Sequence, residues 1–103
     1  MLFDWNDSNI NHIAKHGVTP SEAEQVILSN PIDIEVQRRG EESRVAQVGE
    51  TDQGRILVVV STLRNGLTRV VTAFPAKRRL RAVYAAQKEK RHERRISKEE
   101  LQE

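Results

Sequence analysis

Residues 55–74 read RILVVVSTLRNGLTRVVTAF, and the fold turns on this stretch. From Arg55 to Leu63 the apolar residues fall at odd and even positions alike. A strand that is apolar on both faces is the expected central strand of a sheet. Asn65-Gly66 tolerates positive φ at both residues and predicts a tight hairpin. Leu67 to Phe74 then returns as the antiparallel partner.

Working upstream, Ile32-Asp33-Ile34-Glu35-Val36 alternates apolar and acidic residues, the pattern of a half-buried strand. Arg44 to Val48 is a weaker strand. Arg38 to Glu42 reads as a charged turn around Gly40, and Thr51-Asp52-Gln53-Gly54 as another turn. Thr19-Pro20-Ser21-Glu22 is a capping box with proline at the first helical position. Ala23, Val26 and Ile27 form the apolar stripe of that helix, and Asn30-Pro31 ends it. Residues 8–16, SNINHIAKH, predict a shorter helix with Ser8 as its N-cap. Gly17 is its left-handed stop, and Val18 makes the apolar contact that accompanies such a stop.

Downstream, Pro75 closes the last strand and opens a helix whose apolar face is Ala76, Leu80, Val83 and Tyr84. Apolar content falls beyond Ala86. The expected architecture is α+β: two short N-terminal helices, an antiparallel sheet of about four strands, and a C-terminal helix. Separate runs of helix and strand predict the helices on one side of the sheet. The expected organisation is a single compact domain over residues 1–87. Residues 88–103 form a charged tail, read as either a helical extension or a disordered end.

Composition narrows the function. At 103 residues the chain is the size of one ordinary domain. Only four residues are aromatic, Phe3, Trp5, Phe74 and Tyr84. That disfavours stacking a run of successive bases. There is no cysteine, which excludes disulfide scaffolds, thiolate metal sites and cysteine nucleophiles. The N-terminus has no basic segment before an apolar one, and no apolar run approaches a membrane span. A cytoplasmic protein without a membrane role is the expectation. The net charge of +2 is unevenly spread. Residues 1–76 carry seven Lys/Arg against ten Asp/Glu, and residues 77–103 carry ten against five. A basic C-terminal segment suits a polyanion or an acidic partner, and equally a solvated helix face.

The motifs of common catalysts are missing. There is no Gly-x-Ser-x-Gly, no P-loop and no GxGxxG. His12 and His16 are four apart on one helix face, but Ile13 stands where a zinc protease carries glutamate. No metal or cofactor is expected, and the two histidines read most simply as an exposed helix end. The acidic residues mostly fall in caps and turns. The distinctive feature is arginine at strand ends: Arg44, Arg55, Arg64 and Arg69. Strand alternation puts Arg55 in phase with Leu57 and Val59, and Arg64 on the opposite face. It puts Arg69 with Leu67, Val71 and Ala73. Some of these arginines, with Lys15 or His16, can converge to grip a phosphate or stabilise charge developing on one. Ordinary surface ion pairs account for them equally well. A direct DNA-binder is the weakest reading, because the second helix carries Glu22 and Glu24 where a recognition helix needs cations.

Several segments together resemble a known family. They are Phe3-Asp4-Trp5, Asn11, and Lys15-His16-Gly17-Val18 leading into Glu22-Ala23. Gly54-Arg55-x-Leu57-x-Val59, Arg64, Arg69-Val70-Val71-Thr72-Ala73 and a basic helix with Tyr84 follow in order. This series resembles the BrnT-type toxins of bacterial type II toxin–antitoxin pairs. The resemblance implies a RelE-like fold, metal-independent RNA cleavage and inhibition of translation. It implies neutralisation by a cognate, BrnA-like, DNA-binding antitoxin, with operator DNA met only through that complex. It implies proton transfer or phosphate binding at Lys15 or His16, and phosphate stabilisation by Arg55, Arg64 and Arg69. Asn11, Arg44, Arg78 and Arg79 are then expected to contact RNA. The chain departs from the family pattern at two places. Phe74 stands where a basic residue, often arginine, is common, and Leu80 precedes Arg81 where an acid is common. Arg78 or Arg79 can stand in for the missing cation. The alternative is a catalytically weakened relative that serves as a partner-binding module.

Overall fold

The computed structural model describes residues 1–101, with side chains described through Glu93. The element order is α1 (Asp7–Ala14), α2 (Pro20–Leu28), β1 (Ile32–Arg39), β2 (Glu42–Glu50), β3 (Ile56–Arg64), β4 (Leu67–Pro75) and α3 (Arg78–Leu101). The strands form one antiparallel meander in the order β1-β2-β3-β4. This is the expected α+β architecture. Among the described residues no helix is long and apolar enough to cross a membrane.

The two-sided apolar pattern of β3 divides the core. Leu57 and Val59 face one way and join Ile13, Val18, Ala23, Val26, Val70 and Ala73 beneath α1 and α2. Val58 faces the other way and joins Val48, Ala76 and Tyr84 beneath α3. The helices therefore lie on both sides of the sheet, which corrects the expectation of one side. The physical reason is β3 itself: with helices on a single face, either Val58 or the Leu57–Val59 pair would lose its cover. Burying a residue of this kind is worth roughly 1.5–3 kcal/mol.

Helix α1 starts two residues earlier than expected. Its N-cap is Asn6, not Ser8. Asn6 and Asn9 exchange side chain–backbone bonds, at 2.8 Å to the Asn6 N–H and 3.1 Å to the Asn9 N–H. An asparagine at the third helical position can reach back as a glutamine does, and this frees the Ser8 hydroxyl. The far end closes as expected. Gly17 sits at φ +73°, and the Val18 N–H reaches the Ile13 carbonyl at 3.1 Å. Helix α2 has the expected box, with Thr19 and Glu22 bonded in both directions.

The β1–β2 turn is tighter than the charges implied. The strands pair out to Arg39 opposite Glu42, leaving Gly40-Glu41 as the loop. Opposite charges facing across the last pair favour the longer ladder. Gly49 on β2 lies under α2, where an added Cβ would sit 2.9 Å from Val26 Cγ1. Helix α3 continues without a break past residue 88 to Leu101. It is tied down by Lys88 to Glu50 at 2.8 Å and by Arg91 to the Asn30 carbonyl at 2.8 Å. The bond to Glu50 and the attraction of its charge raise the Lys88 amine above its ordinary value. That pair is exposed and adds little stability. Gln102 and Glu103, the end of the expected tail, lie outside the described residues.

Candidate nucleic-acid cleft

Strand β4 would be a bare edge, and the N-terminal segment covers part of it. Phe3 bridges Thr68 in parallel, the Thr68 N–H meets the Leu2 carbonyl at 2.9 Å, and the Asp4 N–H meets the Thr68 carbonyl at 2.9 Å. Asn9 then fixes α1 against the strand. Only 5% exposed, its amide donates to the carbonyls of Asp4 at 3.0 Å and Val70 at 3.2 Å. Ile13 drops into the core on the same side. That anchoring leaves one stripe of α1 free: Ser8, Asn11, His12 and Lys15, spaced at i, i+3, i+4 and i+7.

A bulge in β4 decides what this stripe faces. Ser61 pairs with Val70 and Val60 with Thr72, so Val71 is an extra residue. Beyond the bulge the strand's faces exchange. Arg69 therefore lies opposite Thr62, while Ala73 lies opposite Val59. Plain alternation had put Arg69 and Ala73 on one face; the bulge corrects this. Thr62 in turn lies opposite Arg44 on β2. Arg44, Thr62 and Arg69 thus form one row across three strands, with Arg64 two residues beyond Thr62 on the same face.

The α1 stripe and this row enclose a cleft of about 440 Å³. Lys15, Arg44, Arg64 and Arg69 supply four cations on its walls, against the single carboxylate of Glu42. Glu42 lies 3.4 Å from the Arg44 Nε. His12 Nε2 lies 3.1 Å from the Thr72 hydroxyl, which orients its ring at the cleft wall. The His16 ring meets His12 edge-on at 5.5 Å and Phe74 at 6.2 Å. The arrangement is an electropositive pocket with an oriented imidazole and an ammonium on one wall and forked guanidinium donors on the other. It suits a phosphodiester, and it places proton-transfer groups beside the anion site.

The structure sorts the expected site residues. Asn11, Lys15, Arg44, Arg64 and Arg69 meet at the cleft. His16 lies beside it, against His12 and Phe74. Arg78 and Arg79 open α3 and are exposed, away from the cleft lining. Arg55 is also elsewhere. Its Nη1 donates to Glu22 Oε2 at 2.6 Å and to the Gly17 carbonyl at 3.0 Å, tying β3 to the α1–α2 junction. Burial alone would push the Glu22 carboxyl up; the Arg55 bond and the Thr19 N–H outweigh it and hold the group below its ordinary value. Among the described residues no three His, Asp or Glu side chains gather as a metal site. Sequence reasoning passed over Ser8, His12, Glu42 and Thr62. The signal for Ser8 and His12 was present: with Asn11 and Lys15 they make a four-membered polar stripe on one helix face.

A family model described as the ribonuclease toxin BrnT of type II toxin–antitoxin systems matches residues 4–79. That span contains every residue of the cleft and ends in the first turn of α3. Comparisons with curated proteins and with solved structures give no match. The match covers well over half of the chain, and the chain therefore belongs to the BrnT family of ribonuclease toxins.

Proposed function

We propose that the cleft between α1 and the open end of the sheet binds and cleaves RNA without a metal ion. The protein then acts in the cytoplasm by inhibiting translation, until a cognate DNA-binding antitoxin covers it. One observation carries this reading: Lys15 and His12 from α1 converge with Arg44, Arg64 and Arg69 from three strands on a single cleft.

Cleavage without metal has three requirements. The ribose 2′-oxygen attacks phosphorus and gives up its proton, the phosphorane charge is stabilised, and the P–O5′ bond breaks as O5′ takes a proton. His12 is the base for the 2′-OH, since imidazole is the side chain best matched to proton transfer near neutral pH. Lys15, one turn on, carries the proton for O5′. Arg64 and Arg69 supply donors to the non-bridging oxygens as charge builds there. Asn11 and Thr62 fix the sugar, and His16 is a positioning residue that braces the His12 ring. The products are a 2′,3′-cyclic phosphate and a free 5′-hydroxyl.

Purified protein incubated with RNA in excess chelator tests this, with and without ribosomes. The expected outcome is cleavage with cyclic phosphate ends, slowed about 100-fold or more by His12→Ala at unchanged RNA affinity. RNA left intact under every condition refutes the reading. The second reading, a catalytically weakened partner-binding module, draws on Phe74 and Leu80, which stand where the family commonly has a cation and an acid. It predicts antitoxin binding with no cleavage and no growth arrest on expression.

A further inference from the structure

We propose that a second subsite lies beside the cleft: an apolar groove that seats one nucleobase of the bound RNA. The groove occupies about 250 Å³ on the α3 side of the sheet. Its lining is mostly apolar, with Ile34, Ala46, Val58, Val60, Phe74 and Leu80, and it also includes the Glu35 carboxylate and Gln37. Helix α3, through Tyr84, packs against Val48 and Val58 of this sheet face and leaves Ala46, Val60 and Phe74 only half-buried.

The register places this groove directly against the cleft. Gln37, Arg44, Thr62 and Arg69 form a row across all four strands. The next row toward α3 is Glu35, Ala46, Val60 and Thr72. Arg44 and Arg69 in one row thus flank Ala46 and Val60 at the centre of the next, separated by two residues of strand, or about 7 Å. Arg44 lines both the cleft and the groove. A nucleotide has the same division, an anionic phosphate and a flat, largely apolar base joined through one sugar. With its phosphate on Arg44 or Arg69, its base reaches the Val60–Phe74 floor. At about 250 Å³ the groove takes one base and not a stack, in keeping with the scarcity of aromatic residues. Phe74 also touches the His16 ring, so its substitution for the family's common cation exchanges a charge for a base-binding wall.

The proposal rests on the reading of the cleft as an RNA site, and the test separates the two. A 2′-O-methyl RNA tetranucleotide, which resists cleavage, is titrated into the full chain. The same oligonucleotide is then used with an abasic residue at each position in turn. The expected result is one position where loss of the base weakens binding about tenfold. Phe74→Leu and Ile34→Asp each shrink that difference, and the intact oligonucleotide remains sensitive to Arg64→Ala. Ile34 is 41% exposed, so its variant is expected to keep the fold should Phe74→Leu disturb it. A flat abasic series with Arg64 sensitivity retained overturns the subsite and leaves the cleft standing. No binding of the intact oligonucleotide overturns both. A base preference untouched by both variants also overturns the subsite. So does a flat series in which the variants instead weaken binding of the neighbouring gene's product, which makes the groove a protein dock.

Discussion

Replacing Arg55 by alanine separates a structural arginine from a catalytic one. The substitution removes two bonds from one guanidinium nitrogen, at 2.6 Å to Glu22 and 3.0 Å to the Gly17 carbonyl. A hydrogen bond to a charged group is worth about 1.5–3 kcal/mol. The Arg55 side chain is 39% exposed and that of Glu22 21%, so solvent screening lowers the figure toward the range of surface pairs. The expected loss is about 1.5 kcal/mol. For a domain of this size that is a fall in Tm of roughly 6–12 °C. The pH dependence has a definite sign. The Glu22 carboxyl is held below its ordinary value in the folded protein. Its contribution is therefore complete above the ordinary glutamate value and is lost as pH falls through the lowered folded value. Wild type and Arg55→Ala accordingly differ most near neutrality and converge in acid. Thermal and urea unfolding at several pH values measure this, with RNA cleavage assayed well below both melting points. An unchanged Tm, or cleavage abolished at undiminished stability, would refute the structural assignment and return Arg55 to the RNA.

The other predictions concern the cleft and its supports. Arg69→Ala weakens RNA binding and reduces the slope of log affinity against log salt by about 0.7, as loss of one phosphate contact to a single strand requires; filter binding from low to moderate salt reads this. Asn9→Ala leaves the Asp4 and Val70 carbonyls without their donor and opens the capping box, costing about 2 kcal/mol. Because Asn9 seats α1, RNA affinity falls with stability in the same titrations. Gly49→Ala forces a methyl against Val26 and costs about 1–3 kcal/mol, seen as a lower urea midpoint at unchanged slope.

Much of the fold was legible because its signals are local. The Thr19–Glu22 box, the Gly17 stop and the Asn65-Gly66 turn each act within a few residues, and each holds. The N-cap of α1 was misplaced by two residues because Ser8 and Asn6 carry similar caps, and the reciprocal bond from Asn9 decides between them. Of the site, the family-like words pointed to Lys15, Asn11, Arg64 and Arg69, and these do meet. Arg55 was grouped with them as a strand-end arginine, but its phase, opposite to that of Arg64, carries it to α2. His12 was passed over beside His16 because helical phase alone does not reveal which histidine faces the strand.

The sequence by itself determined the kinds and order of the elements, since capping, turns and periodicity are set by neighbours along the chain. It also determined that both faces of β3 are apolar, whereas the helix on each face is seen only in the tertiary structure. Where α3 goes and which arginines share a wall were left to the tertiary structure. α3 crosses to the open face because Val58 requires cover there. The single extra residue at Val71 changes which side of the sheet Arg69 faces. A register shift of one residue reverses every side chain beyond it, and it is set by pairing with β3, not by any residue near Arg69 in the chain.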